Sequence, residues 1–141
     1  MLGRKITKPN GAEREVHPET YIQHGGFEAG WSEYAHILPI YQTTSFGSPS
    51  AAASKEMFDR MAGARPASDG PGDLFYTRYN NPNFEVLEDR LSVVIAGAAK
   101  AVVFSSGMAA IDTVCRTFQR PDDGLIFSAP LYGGVYGLFT E

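Results

Sequence analysis

The sequence predicts an α/β fold for its second half, and three observations carry that reading. Apolar residues recur at spacings of three and four from Phe84 to Ile95. A short run, Ala101 to Ser105, then holds Val102, Val103 and Phe104 in succession, and a second helical pattern starts at Gly107. Helix, strand and helix, followed by a further apolar stretch from Leu125 to Ser128, describe a right-handed parallel crossover.

Each element has a local cause. Asn81 can cap a helix with its side-chain oxygen, and Pro82 suits the first helical position, where its fixed φ helps and its missing N–H costs nothing. Phe84, Leu87, Leu91, Val94 and Ile95 then form one apolar stripe on a helix expected to stop near Gly97. The β-branched and aromatic content of 101–105 is that of a buried strand. Met108, Ile111, Cys115 and Phe118 make the core face of the next helix, and Pro121-Asp122-Asp123-Gly124 ends it.

Residues 1–54 show neither helical nor strand periodicity and carry Gly25-Gly26, Pro39 and Ser48-Pro49-Ser50. Such a segment cannot bury a core by itself. We read 1–60 as an extended N-terminal arm that contacts a neighbouring subunit, with a short helix over Lys55–Met61 presenting Met57, Phe58 and Met61. Residues 61–141 carry the α/β part, entered through a flexible loop from Arg65 to Gly72.

Composition narrows the function classes. The chain has 141 residues, 43% hydrophobic and 20% charged, with a net charge of -4 and its twelve basic residues scattered. That balance argues against nucleic acid or an anionic membrane as partner, since both require concentrated positive charge. No apolar run is long enough for a membrane span, and Met1-Leu2-Gly3-Arg4-Lys5 leads into polar sequence, so a cytoplasmic location is expected. The single Cys115 can form no internal disulfide. His17, His24 and His36 lack metal-ligand spacing, and no metal site is expected.

Two motifs carry the chemistry: Tyr76-Thr77-Arg78-Tyr79-Asn80-Asn81-Pro82 and Ser105-Ser106-Gly107-Met108-Ala109-Ala110-Ile111. The second places small residues at the start of a helix, where unpaired N–H groups and the helix dipole favour an anion. Arg78 offers a bidentate clamp for phosphate oxygens, and the Tyr76 phenol can donate a further bond. Taken alone, Ser105-Ser106-Gly107 also fits a plain capped helix start, and Arg78 a surface arginine.

Four segments, Pro39-Ile40-Tyr41-Gln42-Thr43-Thr44-Ser45-Phe46, Tyr76 to Tyr79 with Asn81-Pro82, Ser105 to Ile111, and Leu131-Tyr132-Gly133-Gly134-Val135-Tyr136, together resemble a known family. It is the Cys/Met-metabolism group that uses pyridoxal 5′-phosphate (PLP), with the cystathionine γ-synthases, methionine γ-lyases and O-acetylhomoserine sulfhydrylases. The resemblance implies an N-terminal arm plus the first part of the large parallel-sheet PLP-binding domain of a fold-type I PLP enzyme, incomplete in this chain. It implies that the N–H groups of Gly107 and Met108, with the Ser106 hydroxyl, hold the cofactor phosphate. Tyr76 and Arg78 match the pair that reaches this phosphate from an adjacent copy of the chain. Tyr132 matches the tyrosine that stacks on the pyridine ring and takes part in proton transfer, which makes it the catalytic candidate here.

The same resemblance implies a Schiff-base lysine, an aspartate at the pyridine nitrogen and an arginine for the substrate carboxylate, all beyond the segment matching Tyr132. Lys5, Lys8, Lys55 and Lys100 do not match that lysine. The expectation is a subunit of a split, two-polypeptide enzyme, inactive alone, whose second polypeptide carries the lysine. Its substrate would be a sulfur-containing or O-acylated amino acid undergoing β/γ-elimination or γ-replacement. The alternative is a non-catalytic or regulatory pseudo-subunit bound to a full-length relative.

Overall fold

A computed structural model describes residues 4–7, 13–66 and 73–140. In chain order the elements are strands β1 (Arg4–Thr7) and β2 (Glu13–Val16), helix α1 (Pro18–His24), a 3-10 turn (Ala29–Trp31), α2 (Ala51–Met61), α3 (Pro82–Val94), α4 (Gly107–Phe118) and α5 (Gly133–Thr140). The chain divides into two compact units, Met1–Ala101 and Val102–Glu141.

In the first unit β1 and β2 form an antiparallel pair with Arg4 opposite Val16. α1 packs on α3. Pro18 occupies the first turn of α1, and Tyr21 is buried against the region of α3 that carries buried Val86; burying two side chains of this size stabilises the contact by roughly 1.5–3 kcal/mol each. Gly25-Gly26 makes the close approach possible. A Cβ on Gly25 would lie 2.6 Å from the Tyr21 ring; Gly26 has φ +74°, and its Cβ would lie 3.3 Å from Asp89 Cβ. Arg90 Nε donates to the Gly25 carbonyl at 3.0 Å. The arm therefore contains an antiparallel strand pair and a packed helix, which the lack of periodicity over 1–54 did not reveal.

α2 starts at Ala51, earlier than the expected Lys55, because the Ser50 side chain accepts from the Ala53 N–H at 3.1 Å and caps it. Only Met57 of its expected face is buried, while Phe58 meets Phe75 edge-on at 4.7 Å between ring centroids. Arg60 closes a bidentate pair on Asp73, Nε to Oδ2 at 2.9 Å and Nη2 to Oδ1 at 2.5 Å. Residues 67–72 of the expected flexible loop lie outside the described residues.

α3 begins as predicted, with Asn81 as N-cap and Pro82 in the first turn, and Gly97 follows its end at φ +81°. Its buried positions lie off the apolar stripe. Phe84, Leu87, Leu91, Val94 and Ile95 are all exposed, and Val86 and Ser92 are the buried positions. The reason is geometric: α1 covers the Val86 side of the helix, so the apolar stripe of Phe84 and Leu91 is not the face that α1 uses.

In the second unit α4 and α5 pack together and bury Val135. α4 opens at Gly107 and stops before the Pro121–Gly124 turn, as predicted. The strands expected at Ala101–Ser105 and Leu125–Ser128 are not formed, so the parallel crossover is absent from the described residues. A parallel strand exists by its ladder to neighbours on both sides, and β1–β2 is the only sheet among the described residues. Ile126, an apolar residue of the second expected strand, is 98% exposed.

Candidate functional site

The first unit presents Tyr76 and Arg78 on a tight turn. The segment before it runs antiparallel to residues 44–46: Phe46 N–H donates to Phe75 O at 2.9 Å, Ser45 bridges Tyr76, and Thr77 N–H donates to Thr44 O at 2.9 Å. The chain then turns, with Tyr76 O accepting from Tyr79 N–H at 2.8 Å and from Asn80 N–H at 3.2 Å. Arg78 stands exposed at the apex, its Cζ 5.4 Å from the ring centroids of both Tyr76 and Tyr79. Two aromatic faces thus hold one guanidinium without using its N–H donors, which stay available to an oxyanion.

The pairing of the Pro39–Phe46 and Tyr76–Pro82 motifs has a structural cause that sequence reasoning missed. Asn81, 3% exposed, does more than cap α3. Its Oδ1 accepts from Asn83 N–H at 2.9 Å, while Nδ2 donates to Tyr41 O at 3.1 Å and to Thr77 Oγ1 at 3.2 Å. Asn83 completes the clamp by accepting from Tyr41 N–H at 2.8 Å and donating to Pro39 O at 2.9 Å. Two asparagines beside a proline were the available signal, since an amide side chain can pair with a backbone N–H and C=O together.

The second unit carries the remaining predicted residues. Ser106 is the N-cap of α4, and its Oγ accepts from Ala109 N–H at 3.1 Å. The hydroxyl proton therefore stays free to donate outward. Gly107 is exposed, and a Cβ there would meet nothing within 4 Å. The N–H groups of Gly107 and Met108 belong to the first turn, where a helix supplies no acceptor. An anion at this point would meet two backbone donors, one hydroxyl and the positive end of the helix dipole.

Tyr132 lies just before α5 and its carbonyl accepts from Val135 and Tyr136 N–H, at 2.9 and 3.0 Å. Its side chain is 74% exposed, which leaves the ring face open. Gly134 brings it to Met108: a Cβ at 134 would lie 3.1 Å from Tyr132 Cε1 and 3.3 Å from Met108 Sδ. The structure thus gathers Ser106, Gly107, Met108 and Tyr132 within one unit, and presents Tyr76 and Arg78 together in the other. No group of three or more His, Cys, Asp or Glu residues able to hold a metal occurs among the described residues. No described helix is long and apolar enough to cross a membrane.

Comparison with known proteins identifies the pattern. A family model described as Cys/Met metabolism PLP-dependent enzyme matches residues 19–141. The chain is 36% identical over 115 residues to an L-methionine gamma-lyase of Pseudomonas deceptionensis, covering 82% of this chain and 26% of the relative. It is 36% identical over 121 residues to an O-acetyl-L-homoserine sulfhydrylase of Corynebacterium glutamicum (86% and 25%). With a Mycobacterium tuberculosis cystathionine gamma-synthase it shares 33% over 124 residues (88% and 28%). Among solved structures, a putative O-acetylhomoserine (thiol)-lyase of Campylobacter jejuni, determined with N'-pyridoxyl-lysine-5'-monophosphate, superposes with a TM-score of 0.72 at 25% identity. That match covers 89% of this chain and 28% of the other. The chain spans about a quarter of the length of these curated relatives.

Proposed function

The chain belongs to the Cys/Met metabolism PLP-dependent enzyme family, and from that premise we propose that it supplies the cofactor-phosphate portion of an enzyme acting on a sulfur-containing or O-acylated amino acid. Its fold is that of the first part of a fold-type I PLP enzyme. The reaction is elimination or replacement at the β or γ carbon. The observation that carries the proposal is the meeting of two motifs distant in sequence, the Ser106–Met108 helix start and Tyr132, at Gly134.

Gly107 and Met108 N–H and the Ser106 hydroxyl bind the phosphate of PLP, a dianionic group that suits three converging donors. Bound PLP supplies an electron sink for bonds at the amino acid's α carbon. Tyr132, whose ring is open, would stack on the bound cofactor, a contact worth roughly 0.5–1.5 kcal/mol beyond buried area, and its hydroxyl would move a proton at the leaving group. Tyr76 and Arg78 reach the phosphate held by a second copy of the chain, so each site is shared between copies. A second polypeptide carries the Schiff-base lysine. Support for further protein around this chain comes from the outward-facing stripe of Phe84, Leu87, Leu91, Val94 and Ile95, an apolar surface that association would remove from water.

Native mass spectrometry of the chain purified gently from its own source tests the proposal. The expected result is an assembly containing at least two copies of this chain, a second polypeptide and PLP. A full-length relative in the assembly would favour the pseudo-subunit reading, and a lone chain without PLP would overturn the proposal.

A further inference from the structure

The Tyr76–Arg78 turn is held from behind by a hydrogen-bonded clamp that touches no candidate ligand. Thr77 lies between the two phosphate-facing residues. It is pinned three ways: its N–H donates to Thr44 O at 2.9 Å, its hydroxyl donates to Thr43 O, and its Oγ1 accepts from Asn81 Nδ2 at 3.2 Å. Asn81 is nearly fully buried and ties the same point to Tyr41 O, while Asn83 grips Tyr41 N–H and Pro39 O. Tyr76, at the i−1 position, is bridged to Ser45, and Arg78, at i+1, has its Cζ 5.4 Å from the ring centroids of both Tyr76 and Tyr79.

A guanidinium at the apex of an exposed turn would ordinarily lose much conformational freedom on taking up a bidentate phosphate contact. Here the backbone on its N-terminal side is already fixed by bonds reaching some thirty residues back along the chain, so little ordering remains for the ligand to impose. Resting on the proposed phosphate role of Tyr76 and Arg78, we infer that Thr77 and Asn81 are positioning residues for that contact, with Asn83 as the outer half of the clamp. Thr77 sets where Arg78 stands; Asn81 sets where Thr77 stands.

The test compares PLP with pyridoxal, which lacks the phosphate, as ligands of the purified assembly after its cofactor has been removed. Thr77→Val removes the hydroxyl at constant shape, and Thr77→Ser keeps it. The valine variant is expected to weaken PLP binding about tenfold, a change of about 1.4 kcal/mol, while pyridoxal affinity stays within about twofold, and the serine variant should restore the preference for PLP. Equal weakening of both ligands, or no change in their ratio, would overturn the inference, because a merely structural role cannot distinguish them. Asn83→Ala, which cuts only the outer bonds, is the second variant should Thr77→Val fail to fold, with an expected loss of about threefold confined to PLP. Arg78→Ala separates the two levels: if it abolishes the PLP preference and the clamp variants do not, only the positioning inference falls. If Arg78→Ala leaves the preference intact, the phosphate role falls, and the inference with it.

Discussion

The turn at 76–83 and the helix start at 105–108 both present groups suited to a phosphate, yet they are built by different kinds of bonds. Around the turn, the side chains of Asn81 and Asn83 reach the backbone of Pro39 and Tyr41, so its geometry depends on chain contacts far away in sequence. Around the helix start, Ser106 bonds Ala109, and side-chain bonds further along α4 run four residues, Thr113 to Ala109 O, Thr117 to Thr113 O and Arg116 to Asp112. A locally built site survives whenever its helix forms. A clamp built from distant segments survives only when the whole unit folds, and in return it fixes an exposed arginine in place.

Asn81→Ala should break this contrast most strongly. It deletes an N-cap and leaves the Tyr41 carbonyl without its buried donor, two losses that together predict about 3 kcal/mol of destabilisation, read as a fall in the midpoint of chemical unfolding. Hydrogen exchange should then show loosening at Tyr41, Thr77 and Asn83 together. Exchange that rises at Asn83 alone would mean that the two segments are not held by this side chain.

Ser106 offers the matching experiment on the local side. Replacement by alanine removes the cap at a cost of about 1 kcal/mol, whereas replacement by glycine costs only a few tenths. Glycine therefore separates the cap from the ligand contact: Ser106→Gly should leave the thermal midpoint nearly unchanged and weaken PLP binding about tenfold by loss of one charge-assisted bond. If glycine leaves PLP affinity at the wild-type value, the hydroxyl only caps.

A smaller effect is expected at Gly134. Alanine there would place its Cβ 3.1 Å from the Tyr132 ring and 3.3 Å from Met108 Sδ, so one of the two must shift by a few tenths of an ångström. Met108 can flex, and Tyr132 has room because its side chain is open to solvent. A change of about two- to threefold in PLP affinity is expected, with stability held within about 0.5 kcal/mol; a larger loss of stability would show that the packing of Met108 and Tyr132 around Gly134 is structural.

The same contrast explains what the sequence revealed. Asn81, Pro82, Ser106 and Gly107 were legible because capping and first-turn chemistry involve residues within four of one another. The roles of Asn83 and Thr77 were not, because their partners are Tyr41, Pro39 and Thr43, and no local pattern announces a bond across such a distance. Ala101 to Ser105 and Leu125 to Ser128 read as strands from their apolar side chains, but a ladder also needs a neighbour, and none pairs with them among the described residues. α1 escaped because seven residues show little periodicity, its place being set instead by Tyr21 against the Val86 face of α3 and by the room that Gly25-Gly26 leaves. The α4 face of Met108, Ile111, Cys115 and Phe118 reads as core and none of the four is buried, since periodicity reports which face is greasy and not what packs on it.

The smallest expected effect is an acid response around α2 in the first unit. Asp73 is held below the ordinary aspartate range, chiefly by its hydrogen bonds to Arg60 and then by the guanidinium's charge, against an opposing effect of burial. Asp59 is likewise lowered, first by its hydrogen bond from Lys55. A carboxyl whose folded value is depressed is less protonated in the folded chain than in the unfolded one, so its contribution is fully present above the unfolded value and disappears as pH falls through the folded value. Arg60 is raised by the same hydrogen bond, and the two shifts describe one pair that is lost when Asp73 is protonated. Hydrogen exchange followed from about pH 6 to about pH 3, corrected for the intrinsic rate, should therefore show protection falling around α2. Asp73→Asn should flatten that fall, and an unchanged acid response in the asparagine variant would show that the Arg60–Asp73 pair does not set it.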